Sequence, residues 1–288
     1  MSSGVLTVFH TSDFQCGSPF RPHAADAMIR LADEIRPDVI VSSGDLTQRA
    51  KVREFATARS VLDRFGDVPK VVTPGNHDVP LYRVWERLTD PYRNWRRFAG
   101  PDLNSAAEVP GATFVALNSS APHRALVNGR IGDEQVAFAR RTFAAAAPGD
   151  LRILVIHHHF IAVPDGKGGR PLPGASRLAR EFESMGVDAV LGGHVHQIHV
   201  RRSGVLTSAD ASTGVPLVAS GTTTSRRGRG VEAHRNSLHV IRFEQDVMRV
   251  TPYLLDAGAQ DFEKAEEFRF ARRKGHDAGD SSRRERAS

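Results

Sequence analysis

Short runs of apolar residues recur along the chain, and most of them end at polar or glycine-rich segments. Their lengths, their content of β-branched residues and their polar flanks are typical of buried β-strands. This pattern predicts nine strands: Val5–Phe9, Val39–Val41, Lys70–Thr73, Thr113–Leu117, Arg152–Ile156, Ala189–Leu191, Pro216–Ala219, Ser237–Phe243 and Met248–Leu255.

Apolar residues at helical spacing fill several of the intervals between these strands. In one of them Phe55, Ala58 and Leu62 fall on one face, and Gly66 suits the position just after a helix end. The alternation of strands and helices indicates α/β architecture, while the last four strands, which lack intervening helices, indicate antiparallel additions or a second sheet. The four predicted helices are Ala24–Glu34, Glu54–Phe65, Asp133–Ala147 and Arg177–Met185.

The composition is that of an ordinary globular protein. Of 288 residues, 40% are hydrophobic and 25% are charged. The apolar runs are far shorter than the roughly 20 residues that a membrane-spanning helix needs, so no membrane span is expected. The single cysteine, Cys16, excludes an intramolecular disulfide and a cysteine-based zinc site. The first residues indicate a strand rather than a signal peptide, and we therefore expect a cytoplasmic location.

The net charge of +6 is unevenly distributed, because residues 269–288 alone carry a net +4. The rest of the chain has no long basic stripe with interleaved aromatic residues, which argues against a nucleic acid partner. We predict a catalytic domain over residues 1–256 and a charged extension over residues 257–288, helical at first and then disordered. The segment 164–174, rich in glycine and proline, is a candidate lid loop. The oligomeric state stays open.

Polar side chains that can bind metal ions cluster where five of the predicted strands end. In open α/β sheets, ligands bind outside the carboxyl ends of the strands, so we expect these side chains to meet at one rim. Carboxylate, amide and imidazole ligands without thiolate suit Mn, Fe, Zn, Ni or Co ions. The segments are Ser12–Gln15, Ser43–Asp45, Gly75–Asp78, His157–His159 and Gly192–His196.

The ordered set of these motifs resembles that of the calcineurin-like metallophosphoesterases. The resemblance covers about residues 5 to 250 and implies a four-layer αββα sandwich, an α/β fold of two mixed β-sheets flanked by helices. A weaker resemblance links residues 221–227 to bacterial cyclic-nucleotide phosphodiesterase-like (class III) members. The matching motifs are Asp13-Phe14-Gln15, Gly44-Asp45, Gly75-Asn76-His77-Asp78, His157 and Gly193-His194-Val195-His196.

The resemblance implies two divalent metal ions, Mn, Fe, Zn or Mg, that share one carboxylate. A hydroxide that bridges the metals would attack phosphorus in line. His77 would stabilise the transition state or protonate the leaving oxygen, and Asp78 would orient His77 through its other ring nitrogen. Metal one would be held by Asp13, Gln15, Asp45 and His196, and metal two by Asp45, Asn76, His157 and His194.

Gln15 stands where the family usually has a histidine. An amide oxygen is a weaker and harder ligand than an imidazole, so metal one should bind less tightly or favour Mn or Mg over Zn. A mononuclear centre is the further alternative. Candidate substrate contacts are His158, His199 and Arg226.

The sequence therefore predicts a metal-dependent hydrolase of small phosphoesters, with phosphodiesters favoured and cyclic nucleotides as the first compounds to test. The alternatives are a phosphomonoesterase, a nuclease-like member, or a weakly active binding or regulatory module in which Gln15 has weakened the metal site. The retained pair His77-Asp78 argues against a pure scaffold.

Overall fold

The strands of the protein, seen in a computed structural model, form two mixed β-sheets. The structure describes residues 5–123, 127–163, 169–208 and 210–272. All nine strands predicted from the sequence are confirmed. In chain order the strands are β1 (Leu6–Thr11), β2 (Val39–Ser42), β3 (Lys70–Val72), β4 (Ser105–Val109), β5 (Ala112–Leu117), β6 (Leu151–Ile156), β7 (Ala189–Gly192), β8 (His199–Arg202), β9 (Pro216–Ala219), β10 (Asn236–Phe243), β11 (Val247–Leu255), β12 (Glu263–Lys264) and β13 (Phe268–Ala271).

Helices connect these strands, and the four helices predicted from the sequence are confirmed as the first, second, fifth and sixth. The first begins at Pro22, whose fixed φ suits the first helical turn, and it ends at Arg36 in the left-handed conformation. Within the described ranges no helix has the length and apolar character needed to cross a membrane. The helices are α1 (Pro22–Ile35), α2 (Val52–Asp63), α3 (Val84–Thr89), α4 (Arg93–Phe98), α5 (Asp133–Ala145), α6 (Ala175–Ser184) and α7 (Gly204–Thr207).

The first sheet is parallel on one side and antiparallel on the other, whereas the second has a parallel centre with an antiparallel strand at each edge. The first sheet has the order β12-β11-β10-β1-β2-β3, with β13 also paired to β11, and β1, β2 and β3 run parallel. The second has the order β4-β5-β6-β7-β9-β8, and β5, β6, β7 and β9 run parallel. The polar motifs predicted from the sequence follow the carboxyl ends of these parallel strands.

Three hydrophobic clusters separate the four layers. Val8 of the first sheet and Phe114 of the second belong to the cluster between the sheets. Phe9 points to the opposite face of β1, where α1 and α2 cover the sheet, and α5 and α6 cover the outer face of the second sheet. Because both faces of each sheet are buried, successive residues of a strand are apolar, and each buried side chain contributes about 1.5–3 kcal/mol relative to exposure. The predicted αββα sandwich is confirmed.

The segment after residue 256 differs from the sequence-based prediction of a helix. Its residues form β12 and β13, which both pair antiparallel with β11. These strands cover the backbone groups that β11 would otherwise leave unpaired, and Phe270 packs against the cluster between the sheets. The described part of the extension therefore continues the first sheet. The predicted disordered end lies outside the described residues, and the candidate lid loop is described only from residue 169.

Candidate metal centre

The carboxyl ends of β1, β2, β3, β6 and β7 bring the predicted ligands together. The ligand atoms of Asp13, Asp45 and His196 all lie within 4.8 Å of one another, and all three residues are buried. His196 Nδ1 donates to the Arg227 carbonyl at 2.8 Å, so the lone pair of Nε2 faces Asp13 Oδ1 at 3.2 Å. These three residues are placed to hold a metal ion, and we call them, with Gln15, group one.

The carboxylate of Asp13 has one oxygen that the protein leaves without a donor. Asp13 Oδ2 accepts hydrogen bonds from the Ser12 hydroxyl at 2.7 Å and from the His194 backbone N–H at 3.0 Å. Asp13 Oδ1 is buried and has no hydrogen-bond partner among the described residues. A buried carboxylate oxygen without a donor is costly unless a cation compensates it, so this atom fits a metal ligand.

A second set of ligand atoms, group two, converges beside the first. Asn76 Oδ1 lies 2.9 Å from His194 Nδ1 and 3.2 Å from His157 Nε2, and the two ring nitrogens are 3.3 Å apart. His157 Nδ1 donates to the Ser43 carbonyl at 2.7 Å, which leaves Nε2 as the free ligand atom. One amide oxygen and two imidazole nitrogens therefore face a common point.

Asp45 lies between the two groups. Its Oδ1 accepts from the His77 backbone N–H at 2.8 Å and is 3.4 Å from His157 Nε2, whereas Oδ2 is 3.5 Å from the Gln15 amide in group one. Burial opposes ionisation of Asp45, but His157 and His77 together outweigh it and hold the pKa of Asp45 well below its usual range. Burial likewise lowers the pKa of His157, yet Asp45 raises it to about 9. An anionic oxygen thus faces each group.

The backbone at the ligands is strained. Seven non-glycine residues of the described ranges have a positive φ, and five of them are predicted ligands. Left-handed backbone costs about 1–3 kcal/mol for each such residue and is concentrated at functional sites. It also explains why the i and i+2 histidines after β7 diverge, so that one joins each group. The five are Asp13 (φ 52°), Gln15 (48°), Asp45 (53°), His194 (71°) and His196 (58°).

Two positions in the motifs require glycine because neighbouring side chains lie too close to leave room for a Cβ atom. A Cβ on Gly75 would overlap the Asp45 carboxylate, and a Cβ on Gly193 would overlap the Ser12 hydroxyl. Neither neighbour can move without disturbing a predicted ligand, because Ser12 donates to Asp13. Gly75 and Gly193 therefore allow the side chains of the candidate metal centre to pack this closely.

Gln15 reaches group one with its side-chain amide. Its Nε2 lies 3.2 Å from His196 Nε2 and 3.5 Å from Asp45 Oδ2, while Oε1 accepts from the Ser225 hydroxyl at 3.1 Å. Metal binding requires Oε1 in the position of Nε2. A rotation of the terminal amide by about 180° exchanges the two atoms, and the Ser225 hydroxyl, which can accept as well as donate, then accepts from Nε2. The position fits a ligand in that second orientation.

The expected contact between Asp78 and His77 is absent, so this prediction is wrong. His77 Nδ1 instead donates to the Gln48 carbonyl at 3.0 Å. The Asp78 carboxylate accepts from the backbone N–H groups of Leu46, Thr47 and Gly75, and from the Thr47 hydroxyl. It therefore ties the loop that carries Asp45 to the loop that carries Asn76. Burial and the neighbouring Asp45 raise the pKa of Asp78 to about 7.

Both groups open into one cleft, which Asp45, Asn76, His194 and His196 line. His77 Nε2 accepts a hydrogen bond from Arg227 Nη1 at 3.0 Å at this cleft. Burial is the main cause that lowers the pKa of His77, and the charge of Arg227 lowers it further. Besides the predicted residues, the lining includes Gln48, Arg49, Leu81, Tyr82, Arg227 and Arg229.

The three predicted substrate contacts are not part of this lining. Both ring nitrogens of His158 are engaged, with Ser119 Oγ at 2.7 Å and the Val127 carbonyl at 3.0 Å, so His158 packs behind His194. His199 lines a separate small cavity with His158. Arg226 is exposed, and its neighbour Arg227 faces the cleft instead. The basic pair was visible in the sequence, but which of its members faces the site depends on the backbone of the loop.

Residues 6–198 match the family model of the calcineurin-like phosphoesterases, and the chain belongs to this family. Membership in this family implies divalent metal ions, and the buried group of Asp13, Asp45 and His196 could bind one. The chain is 27% identical over 235 residues to a probable cyclic nucleotide phosphodiesterase of Rhodococcus erythropolis, covering 75% of this chain and 73% of that protein. It is also 27% identical over 166 residues to a cAMP/cGMP dual specificity phosphodiesterase of Mycobacterium tuberculosis, covering 56% of this chain and 49% of that protein.

Among solved structures, the purple acid phosphatase PPD1 from yellow lupin seeds has a similar fold. The TM-score is 0.66 at 15% sequence identity, and the match covers 94% of this chain and 54% of the lupin chain. The chain thus spans about half the length of the lupin protein and of the mycobacterial relative. At this identity the likeness concerns the fold alone.

Proposed function

We propose that this protein hydrolyses phosphodiesters with two divalent metal ions. The observation that carries the proposal is the position of Asp45, with one carboxylate oxygen toward each group of ligand atoms. Two cations at such a site supply Lewis-acid activation of water and neutralise charge on the phosphoryl oxygens. Group one (Asp13, Gln15, Asp45 and His196) would hold one ion, and group two (Asp45, Asn76, His157 and His194) the other.

The types of ligand atom in the two groups also indicate which metal ions each group favours. Group two combines one amide oxygen and two imidazoles with Asp45, which suits Mn, Fe or Zn. Group one has a single imidazole among oxygen donors once Gln15 presents its amide oxygen, and this favours Mn or Mg over Zn. We infer that group one binds its ion less tightly than group two.

Two cleft residues would act on the substrate directly. Arg227 carries its charge at any accessible pH, and its Nη1 already reaches the position of His77 Nε2, so it can donate to a phosphoryl oxygen. His77 can protonate a leaving oxygen only after Nε2 has gained a proton, because Nε2 accepts from Arg227 in the free protein. We therefore assign charge stabilisation to Arg227 and retain proton donation or transition-state stabilisation for His77.

Three observations favour a small phosphodiester as the substrate. Arg49, Arg227 and Arg229 line the cleft and provide a positive field for an anion. The cleft extends past the metal centre to Tyr82, which leaves room for both ester groups. The two curated relatives are named as cyclic nucleotide phosphodiesterases. Cyclic nucleotides are therefore the first compound class to test, and a cytoplasmic location is part of the same proposal.

The test uses the full chain, stripped of metal and reloaded with Mn²⁺. Hydrolysis of bis-p-nitrophenyl phosphate is compared with that of p-nitrophenyl phosphate, and 3′,5′-cyclic AMP follows. We expect the diester and the cyclic nucleotide to be cleaved, and Asp45→Asn to abolish both reactions. Preference for the monoester would make the protein a phosphomonoesterase. Cleavage of linear DNA would make it a nuclease-like member of the family. No hydrolysis with Mn²⁺, Fe²⁺, Zn²⁺ or Mg²⁺ would leave the binding-module alternative.

A further inference from the structure

The wall of the cleft beside the metal centre carries a tyrosine that is covered on one face only. The Tyr82 side chain is 71% exposed, and the guanidinium carbon of Arg49 lies 4.4 Å from the centre of its ring. Both residues line the same cleft as Asp45, His77 and Arg227. One ring face is therefore occupied by a cation, and most of the side chain is open to solvent beside the site.

The two residues are held in place through the backbone rather than through the ring. Arg83, next to Tyr82, donates from Nη1 to the Arg49 carbonyl and from Nη2 to the Ala50 carbonyl, both at 2.9 Å. Asn94 also donates to the Ala50 carbonyl at 2.9 Å. These bonds tie the start of α3 and α4 to the turn that follows Gln48. The backbone that carries the ring and the guanidinium is thus pre-organised, which reduces the entropy lost when a ligand binds.

An aromatic ring in this setting is suited to stacking with a planar ligand. A side chain that is 71% exposed adds little to the hydrophobic core, so packing within the protein does not account for its position. Aromatic rings stack on nucleobases irrespective of base identity, and arginine planes contribute cation–π attraction. The nearby Arg227 and the metal centre would hold the phosphate of the same ligand.

We propose that Tyr82, with Arg49 behind it, forms the binding platform for the nucleobase of a nucleotide phosphodiester. The platform rests on the proposed function, since it assigns the substrate class to that same site. It predicts that the base contributes affinity independently of the phosphate. A ligand that keeps the sugar and phosphate but lacks the base should therefore bind more weakly.

The experiment measures the binding of adenosine 5′-monophosphate and of ribose 5-phosphate to the Mn²⁺-loaded full chain by isothermal titration calorimetry. The wild-type protein is expected to bind the nucleotide about tenfold more tightly, the scale of one base stacked on an aromatic ring. Tyr82→Leu should remove most of this preference and leave the affinity for ribose 5-phosphate unchanged, whereas Tyr82→Phe should keep it. Trp85→Leu is the matched control, because Trp85 lies three residues after Tyr82, at the start of α3, and is 78% exposed but does not line the cleft.

Equal affinity of the wild-type protein for the two ligands would overturn the platform, and so would a preference that Tyr82→Leu retains or that Trp85→Leu removes equally. Failure of the proposed function has a different signature. If no diester is hydrolysed with any metal but the preference for the nucleotide still depends on Tyr82, the platform stands and the catalytic proposal falls. If diesters are hydrolysed without any preference for the base, the reverse holds.

Discussion

Arg227 donates a hydrogen bond from Nη1 to His77 Nε2 at 3.0 Å, and this contact fixes the protonation state of the imidazole. His77 Nδ1 carries the proton because it faces the Gln48 carbonyl. The ring is therefore neutral, in agreement with a pKa lowered by burial and by the charge of Arg227. A phosphoryl group entering the cleft would compete with His77 for the guanidinium, because charge-assisted bonds to an anion are stronger than bonds to a neutral ring.

Replacing Arg227 by alanine is expected to lower kcat for bis-p-nitrophenyl phosphate by about 100-fold, the usual cost of removing one donor to the developing charge. It should also shift the pH profile. Loss of the positive neighbour makes the imidazolium form of His77 less unfavourable, so the pKa of His77 rises and the limb of the profile that His77 sets moves to higher pH. Steady-state kinetics of the Mn²⁺-loaded protein between pH 5 and pH 9 measure both effects.

The control is Arg229→Ala, which removes a charge from the same cleft without removing the donor to His77. We expect it to change KM more than kcat and to leave the pH profile in place. Equal losses of kcat in the two variants, or an unshifted profile in Arg227→Ala, would show that Arg227 acts only through the general field of the cleft.

His77→Ala should keep the metal content of the wild-type protein while losing most of the turnover. The ring nitrogens of His77 bond to Gln48 and Arg227, not to group one or group two, so their loss leaves the ligand atoms in place. Elemental analysis after dialysis, together with kcat, tests this. Unchanged kcat at full metal content would remove His77 from the mechanism.

The grouping of the candidate ligands could be predicted from the sequence because their positions follow from topology. Residues directly after parallel strands meet at the carboxyl edge of their sheet, and this places Asp13 beside Asp45 without knowledge of any side-chain angle, while His157 comes from the corresponding edge of the second sheet. The strands themselves are buried on both faces and stand out as apolar runs. Both kinds of information are local in the chain.

Other features depend on contacts between distant segments and could not be predicted. The family resemblance implies that Asp78 orients His77, yet the donors to Asp78 come from residues 46, 47 and 75. Arg226 is exposed whereas Arg227 lines the cleft, and this difference depends on the backbone of the loop that carries both. The helix expected after residue 256 is replaced by β12 and β13, because the edge of β11 offers pairing that a charged segment alone does not reveal.

Gln15→His is expected to raise the metal occupancy of group one, because an imidazole replaces an amide oxygen as ligand. The wild-type protein should retain metal in group two and lose it more readily from group one during dialysis against a weak chelator. Metal equivalents per chain, measured by elemental analysis at several chelator concentrations, give the two affinities.

The matched variant is Gln15→Leu, which removes the amide at similar side-chain size and should lower the occupancy of group one further. Two equivalents that survive dialysis in the wild-type protein would contradict the prediction of a weak site. So would identical retention in the histidine and leucine variants, since the residue at position 15 would then not be a ligand.

Asp78→Asn should destabilise the metal-free protein by about 2–4 kcal/mol, because an amide has one acceptor oxygen and its NH₂ group faces backbone donors. The carboxylate of Asp78 accepts from the Leu46, Thr47 and Gly75 N–H groups at 3.1, 2.9 and 2.9 Å. Urea denaturation in the presence of a chelator measures the free energy of unfolding without a metal contribution. Asp210→Asn is the control, because Asp210 accepts from Ser212 on an exposed loop. Equal stability of the Asp78 variant and the wild type would mean that the two loops are held by other contacts.

His239 sets a further pH dependence. It lies opposite His10 in the pairing of β1 with β10 and is fully buried, and neither ring nitrogen has a hydrogen-bond partner in the part of the chain that the structure describes. Burial lowers the pKa of His239 to about 3, compared with 6.5 in the unfolded chain. Between these two values the unfolded state binds a proton that the folded state does not, so the free energy of unfolding falls as the pH falls, by about 1.4 kcal/mol per pH unit for this residue.

His239→Leu removes that proton from the unfolded state and should also remove the cost of burying two unpaired ring nitrogens. We expect the variant to match or exceed the stability of the wild type at pH 7, and its advantage to grow by about 1.4 kcal/mol per pH unit below pH 6.5. Urea denaturation at pH 7, 6 and 5 with chelator present measures the difference, in which the buried histidines cancel except His10, whose pKa His239 also lowers. His234→Leu, at an exposed position just before β10, is the control. A constant difference between His239→Leu and the wild type across this range would mean that the ring of His239 gains a proton, or a water, in the folded protein.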